Sequence, residues 1–222
     1  VGLSFGASTA SLLNVPFYTY SHQEGHIQTG LWSSRCPAER FLALHLSGGT
    51  TEILHVFNRF PGTLEIEILG GTSDLNAGQF VDRIGVKLGF SFPAGPQLEK
   101  LAACNIEGGI KVPVSVKDYN VSFSGPATFV ERAIAKGVPI EEAARGVEVC
   151  LAHTFMEVIH KAASDKGLND ILVVGGIAAN TFIKRRLMEG LPALNFFFPD
   201  AGFAGDSAIG PAILASLRNK GR

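Results

Sequence analysis

Apolar and polar positions change period several times along the 222 residues. Leu64, Ile66 and Ile68 alternate with Glu65 and Glu67, which predicts a strand over 64–69 with one wet face. Residues 41–46 are apolar almost throughout and predict a buried strand, joined through a tight glycine turn to a partner over 51–57. The turn Phe60-Pro61-Gly62 then leads into 64–69. Ala77, Phe80, Val81, Ile84 and Leu88 recur at helical spacing, so a helix is expected to about Leu88, capped by Ser73 or Asp74. Further helices are expected over 2–14, 22–33, from the loop 92–96 through Ala103, and over 127–136. Another is expected over 140–166, opened by Glu141 and Glu142 at the end where the helix dipole favours acids. A short strand is expected over 17–20, and strand and loop over 111–124. The last third alternates cleanly, with strand 171–174, helix 180–189, strand 194–198 and helix 206–217. The pattern is that of an α/β chain with a mixed sheet flanked by helices.

Composition narrows the function classes. Hydrophobic residues make up 46% and charged residues 18%, with a mean hydropathy of +0.23, so a disordered polar segment is excluded. Nineteen Lys and Arg face 20 Asp and Glu for a net charge of −1, which excludes nucleic-acid binding by bulk charge. A local basic patch at Lys184-Arg185-Arg186 is the alternative to the favoured reading of that tripeptide as a solvated helix face. The longest apolar runs, 171–174 and 196–198, fall far short of the roughly 20 residues a membrane span needs. The start, Val1-Gly2-Leu3-Ser4-Phe5, carries neither a basic leader nor a cleavage site. Cys36, Cys104 and Cys150 form no CxxC pair and are expected to be reduced thiols, so the chain is expected to be cytoplasmic, with no membrane partner. It does not begin with Met and its first residues read as the middle of a helix, so an incomplete chain is expected.

Glycine, at 26 residues, forms doublets at the ends of apolar runs: Gly48-Gly49, Gly70-Gly71, Gly108-Gly109 and Gly175-Gly176. Two of these open candidate anion sites. Leu44-His45-Leu46-Ser47-Gly48-Gly49-Thr50-Thr51 is a turn between two strands, and Val174-Gly175-Gly176-Ile177-Ala178-Ala179-Asn180 is a strand feeding a helix. Each alone reads as an ordinary turn or as a phosphate-binding loop. Together they have the layout of the actin-like ATPase domain. His22 and His26, in His-Gln-Glu-Gly-His, stand at i and i+4 on one helix face, where they can share a metal or serve structure. The sequence lacks the zinc-protease spacing, because Gln23 follows the first histidine and Glu24 points roughly 200° away around a helix. Asp206 opens the last predicted helix, either as its N-cap or as the carboxylate completing a His-His-Asp set.

These segments, in this order, resemble the TsaD (Gcp/YgjD, Kae-type) family, which makes threonylcarbamoyladenosine in tRNA. His22 to His26 resembles the family's histidine pair, and Leu46 to Thr51 its SGGHT loop. Asp74 to Asp82 resembles its DDAAGEAFD helix, and Pro93-Ala94-Gly95-Pro96 its PGGP loop. Ser122-Phe123-Ser124-Gly125, Gly175 to Asn180, and Gly205-Asp206-Ser207-Ala208 are similar to three further family segments. The sequence departs from the family at Thr50, where SGGHT has histidine, at Gln79, where GEAFD has its acid, and at Val81, where it has phenylalanine.

The resemblance implies an actin-like (ASKHA, ribonuclease H-like) fold whose first lobe is incomplete, a preceding segment on the order of 100 residues being absent. Residues 1–38 would be the end of the N-terminal lobe with the histidine motif, and 39–222 the C-terminal lobe with the nucleotide loops. It implies that His22, His26 and Asp206 hold one divalent metal, iron or zinc. His45, Leu46, Ser47, Gly48 and Gly49 would wrap the phosphate and carbamoyl end of threonylcarbamoyl-AMP, or of ATP or AMP. Asp82, Gly95 and Glu99 would contact the ribose and nucleotide, and Asn180 would close over it. The implied activity is an acyltransferase that passes the threonylcarbamoyl group to N6 of the adenosine beside the tRNA anticodon, with TsaB-like and TsaE-like partner proteins. A non-catalytic nucleotide- or partner-binding paralogue or fragment, and a metallopeptidase of the O-sialoglycoprotease type, are the alternatives.

Overall fold

The computed structural model describes residues 2–59, 62–105 and 109–220. The expected turn residues Phe60 and Pro61, and Gly108 of the third glycine doublet, lie outside the described residues. The chain begins with α1 (Gly2–Leu13) and α2 (His22–Ser34), followed by β1 (Arg40–Leu46), β2 (Thr51–Arg59) and β3 (Thr63–Gly71). Next come α3 (Ala77–Lys87), α4 (Gly95–Ala102), the short strands β4 (Val116–Lys117) and β5 (Asn120–Val121), and α5 (Ser124–Ala135). The long α6 (Ile140–Lys166) precedes β6 (Asp170–Val174), α7 (Thr181–Gly190), β7 (Asn195–Phe197) and α8 (Ile209–Lys220).

Among the described residues, five strands form one mixed sheet in the order β3-β2-β1-β6-β7. The first three pair antiparallel, whereas β1 with β6 and β6 with β7 pair parallel. Side chains alternate across β1, so the strand serves two cores. Leu42, Leu44 and Leu46 pack with Phe80 of α3, Phe123, and Leu151 and Phe155 of α6. Phe41 and Ala43 pack on the opposite face with Ile27 and Leu31 of α2 and Leu214 of α8. The two parallel strands β1 and β6 end side by side, with His45 in register with Val174, so whatever follows them shares one rim of the sheet. This is the α/β architecture expected from the pattern. Among the described residues no helix is long and apolar enough to cross a membrane.

Several expectations change. Residues 17–20 belong to no strand of either sheet among the described residues. Helix α3 begins at Ala77 with Asn76 as its N-cap, and the backbone N–H of Asn76 donates to Oε1 of Gln79 at 3.0 Å. Asp74 is therefore free of capping duty and instead ties the start of α5 to this loop. Helix α8 begins only at Ile209, so Asp206 stands in the preceding loop and is not its N-cap. Gly25 and Gly30, which weaken the helical pattern of α2, sit where the helix lies close to its neighbours: a Cβ on Gly30 would stand 2.5 Å from Cγ1 of Val174.

Candidate metal and nucleotide site

Helix α2 starts at a reciprocal cap. Ser21 Oγ accepts from the Glu24 N–H at 3.1 Å, while the Ser21 N–H donates to Glu24 Oε2 at 2.7 Å. One helical turn then stacks His22 and His26 edge to face, with ring centroids 4.5 Å apart. The loop before α8 brings Asp206 to both: its Oδ1 lies 3.1 Å from Nε2 of His22 and 3.0 Å from Nε2 of His26, although these residues are 184 and 180 positions away in the chain. His26 is buried, whereas His22 and Asp206 face solvent, with side-chain exposures of 61% and 83%. Burial lowers the pKa of His26 more than its hydrogen bond to Asp206 raises it. Asp206 is held below the usual carboxylate range by its hydrogen bonds to His22 and His26.

His45, at the end of β1, is 1% exposed. Its ring lies 4.7 Å from that of His26 and 5.9 Å from that of His22, and one nitrogen from each of the three imidazoles lies within 4.8 Å of the other two. Neither ring nitrogen of His45 has a hydrogen-bond partner among the described residues. Oε2 of Glu52, its cross-strand neighbour, stands 3.7 Å from Nδ1 and accepts from Nε2 of Gln23 at 2.6 Å. Burial, and then the neighbouring His26 and His22, push the His45 imidazole down to about 4, so it is neutral at physiological pH. Convergent imidazole nitrogens, one carboxylate oxygen and an unsatisfied buried histidine fit a divalent transition metal such as zinc or iron(II).

The two glycine turns meet beside this cluster. The hairpin after β1 is closed by the Ser47 N–H donating to the Thr50 carbonyl at 2.9 Å, and the Gly49 N–H donates to Ser47 Oγ at 3.3 Å. A Cβ on Gly48 or Gly49 would meet nothing within 4 Å, so that side of the turn is open, while the Gly48 backbone packs closely on Gly78 of α3. The turn after β6 presses on the base of the hairpin. Gly175 has φ of 94°, and a Cβ there would collide with the carbonyl oxygen of Leu46.

The remaining expected contacts line the far side. Asp82 accepts from the Ala94 N–H at 2.7 Å and so fixes the loop into α4. Glu99 accepts from the Thr181 N–H at 2.8 Å and from its hydroxyl, joining α4 to α7. Asn180 caps α7, its Oδ1 accepting from the Ile183 N–H, and its Nδ2 donates to Oε1 of buried Glu148. Gly95, Glu99, Glu148, Gly176 and Asn180 surround a narrow cleft of about 90 Å³. Glu148 of α6 is missed by reading the sequence for motifs, although an acid in the apolar stripe of a long helix is a visible anomaly. In the sequence His45 reads only as part of the hairpin; its position two residues beyond Ala43 on the face toward α2 is the signal that pairs it with His26. Lys184 lies over Phe198, and Arg185 lies over Phe182 near Glu189.

Comparison with known proteins agrees with this architecture. HypF from T. kodakarensis superposes with a TM-score of 0.76 at 16% identity, covering 97% of this chain and 38% of that one. The activator of 2-hydroxyisocaproyl-CoA dehydratase from Clostridium difficile, solved with ADPNP, superposes with a TM-score of 0.59 at 15% identity, covering 91% and 69%. The fold is thus the actin-like ATPase fold, its mixed sheet flanked by helices. Residues 1–212 match the model of the TsaD family, described as tRNA N6-adenosine threonylcarbamoyltransferase, and the chain belongs to that family. A curated relative of that name from Thermus thermophilus is 37% identical over 99% of this chain. Another from Thermosipho melanesiensis is 34% identical over 85%. The chain spans 66% and 58% of the lengths of those two relatives.

Proposed function

We propose that this chain forms the metal- and nucleotide-binding part of an acyltransferase that moves a threonylcarbamoyl group from threonylcarbamoyl-AMP to N6 of the adenosine beside the tRNA anticodon. The observation that carries the reading is the meeting of His22 and His26 with Asp206, from opposite ends of the chain and within 3.1 Å of its carboxylate, beside the glycine hairpin that follows His45. Family membership supports the tRNA modification in general.

In this reading His22, His26 and Asp206 hold one divalent metal, iron or zinc. Bound there, the metal supplies Lewis acidity toward the carbamoyl or phosphate oxygens of the donor. The loop from His45 to Gly49 wraps the phosphate and carbamoyl end of the donor, as side-chain-free turns can. Gly95, Glu99 and Asn180 bind ribose and base at the narrow cleft, and Asp82 holds the loop into α4 that forms one wall. The N6 amine attacks the carbamoyl carbon, the bond from that carbon to the phosphate oxygen breaks, and AMP leaves with that oxygen while N6 loses a proton. The protein's part is to hold the two reactants in line, and no side-chain nucleophile is needed.

tRNA, TsaB-like and TsaE-like proteins are the proposed partners, in the cytoplasm. With a net charge of −1, tRNA contact depends on a local patch or on a partner's surface. A metallopeptidase is disfavoured, because the Glu24 carboxylate accepts from the N–H of Ser21 at the start of α2.

The test is a calorimetric titration of the metal-loaded chain with a non-hydrolysable threonylcarbamoyl-adenylate analogue, beside His22→Ala. Metal-dependent binding that His22→Ala abolishes is the expected result. No binding by a chain whose circular dichroism is that of the folded protein overturns the donor site. Donor binding without transfer to tRNA, assayed with the partner proteins added, would instead favour the non-catalytic paralogue.

A further inference from the structure

We propose that His45 is itself a ligand of the metal centre, making it a three-imidazole, one-carboxylate site with His22, His26 and Asp206. The inference rests on the metal reading above and adds to it a ligand drawn from the sheet. Three independent observations converge on it. First, one nitrogen from each of the three imidazoles lies within 4.8 Å of the other two, so each needs only a small shift to meet at a common centre. Second, the His45 ring is sealed from solvent at 1% exposure and both its nitrogens lack a partner among the described residues. A buried polar group left unsatisfied is destabilising, so such a group in a native site calls for a ligand. Third, the surroundings suit coordination through Nε2. Nδ1 is the nitrogen beside Glu52, whose carboxylate at 3.7 Å is placed to accept the Nδ1–H after a small approach. A histidine that donates one ring N–H to a carboxylate presents the other nitrogen to a metal in a fixed tautomer.

The backbone makes His45 the rigid member of the set. β1 is paired on both sides at this residue, with Glu52 of β2 and Val174 of β6. His22 and Asp206 lie on the exposed rim. A third imidazole gives the site an N3O donor set, which suits zinc or iron(II) and disfavours magnesium or calcium. It also joins the metal to the strand that carries the hairpin, since Ser47 and Gly48 follow His45 by two and three residues.

The test uses zinc-loaded wild-type chain, His45→Leu, His45→Gln and His22→Ala, each checked for folding by circular dichroism. X-ray absorption fine structure counts imidazole ligands, and competition with a chromophoric chelator measures zinc affinity. Three imidazoles are expected in the wild type and two in either His45 variant. Zinc affinity should fall at least about tenfold to a hundredfold, the loss already caused by removing an outer partner of a ligand. The glutamine variant keeps a polar side chain and so separates lost coordination from a packing defect. Two imidazoles in the wild type, or unchanged zinc affinity in both folded His45 variants, would overturn the proposal while leaving the metal reading intact. A wild type that binds zinc no better than His22→Ala would overturn both.

Discussion

Asn180 joins the first turn of α7 to the middle of α6. Its Nδ2 donates to Oε1 of Glu148 at 2.8 Å, while its Oδ1 accepts from the Ile183 N–H at 2.8 Å. One side chain therefore caps a helix, satisfies a buried acid and faces the narrow cleft. The family resemblance assigns Asn180 to the nucleotide alone; the structure gives it a structural duty as well.

Asn180→Ala is accordingly expected to lower the melting temperature as well as nucleotide affinity. Loss of the cap costs about 1 kcal/mol, and leaving one oxygen of Glu148 unpaired adds about 1 kcal/mol or more. For a chain of this size, that total corresponds to a drop of roughly 4–8 °C in thermal denaturation. A variant that melts with the wild type would show that the cap and the Glu148 contact contribute nothing measurable.

Glu148 sets a pH dependence of its own. Burial pushes its carboxyl up to about 7, against the lowering effects of Asn180 and Arg145. Its folded pKa lies above the unfolded value, so between about 4.5 and 7 the folded chain binds more protons than the unfolded one. This group's contribution is therefore lost as pH rises from 4.5 through 7, at no more than about 1.4 kcal/mol per pH unit. Urea denaturation of Glu148→Gln across roughly pH 5 to 8 should show a flatter profile than the wild type. Parallel profiles would remove Glu148 as the source.

How much of this is legible in the sequence depends on whether the signal is local. The 27 residues of α6 carry their own periodic apolar stripe and the acids Glu141 and Glu142 in the first turn, and the helix runs as expected. The glycine doublets mark both turns that meet at the rim, because backbone demands are written in the residue itself. Partnership is not local. Residues 17–20 have strand composition and no strand to pair with among the described residues. Asp206 reads either as a helix cap or as a third metal ligand, and α8 starting at Ile209 removes the first reading. His45 reads as a strand residue until α2 lies over the same face of the sheet. Gly25 and Gly30 count against a helix locally, although close packing of that helix requires small residues there.

Gly30→Ala tests that packing. The added methyl would stand 2.5 Å from Cγ1 of Val174 and 3.3 Å from both Cδ atoms of Leu172, and the branched Val174 has little freedom to turn away. Overpacking of this kind costs about 1–3 kcal/mol. Because α2 carries His22 and His26, the same shift should weaken zinc binding. Chelator competition and thermal melting are the measurements; normal values in both would mean that α2 is more loosely seated than its contacts imply.

Asp74 holds together two segments 48 residues apart. Its carboxylate accepts from the hydroxyls of Ser122, Ser124 and Thr72 at 2.5, 2.6 and 2.7 Å, and from the N–H of Phe123 at 3.2 Å. Desolvation pushes this carboxyl up, but those hydrogen bonds outweigh it and hold it well below the usual carboxylate range. Because the folded pKa is depressed, the contribution is present above the unfolded pKa near about 4 and is lost as pH falls below it. Asp74→Ala should therefore destabilise the chain at about pH 7 by about 1–2 kcal/mol, a value at the low end because the site is exposed. Amide exchange at the start of α5 should quicken with it, since that turn loses its anchor. The difference between variant and wild type should shrink on acidification below about pH 4, and a difference that stays constant down to about pH 2 would place the stabilisation in packing instead of in the ionised carboxylate.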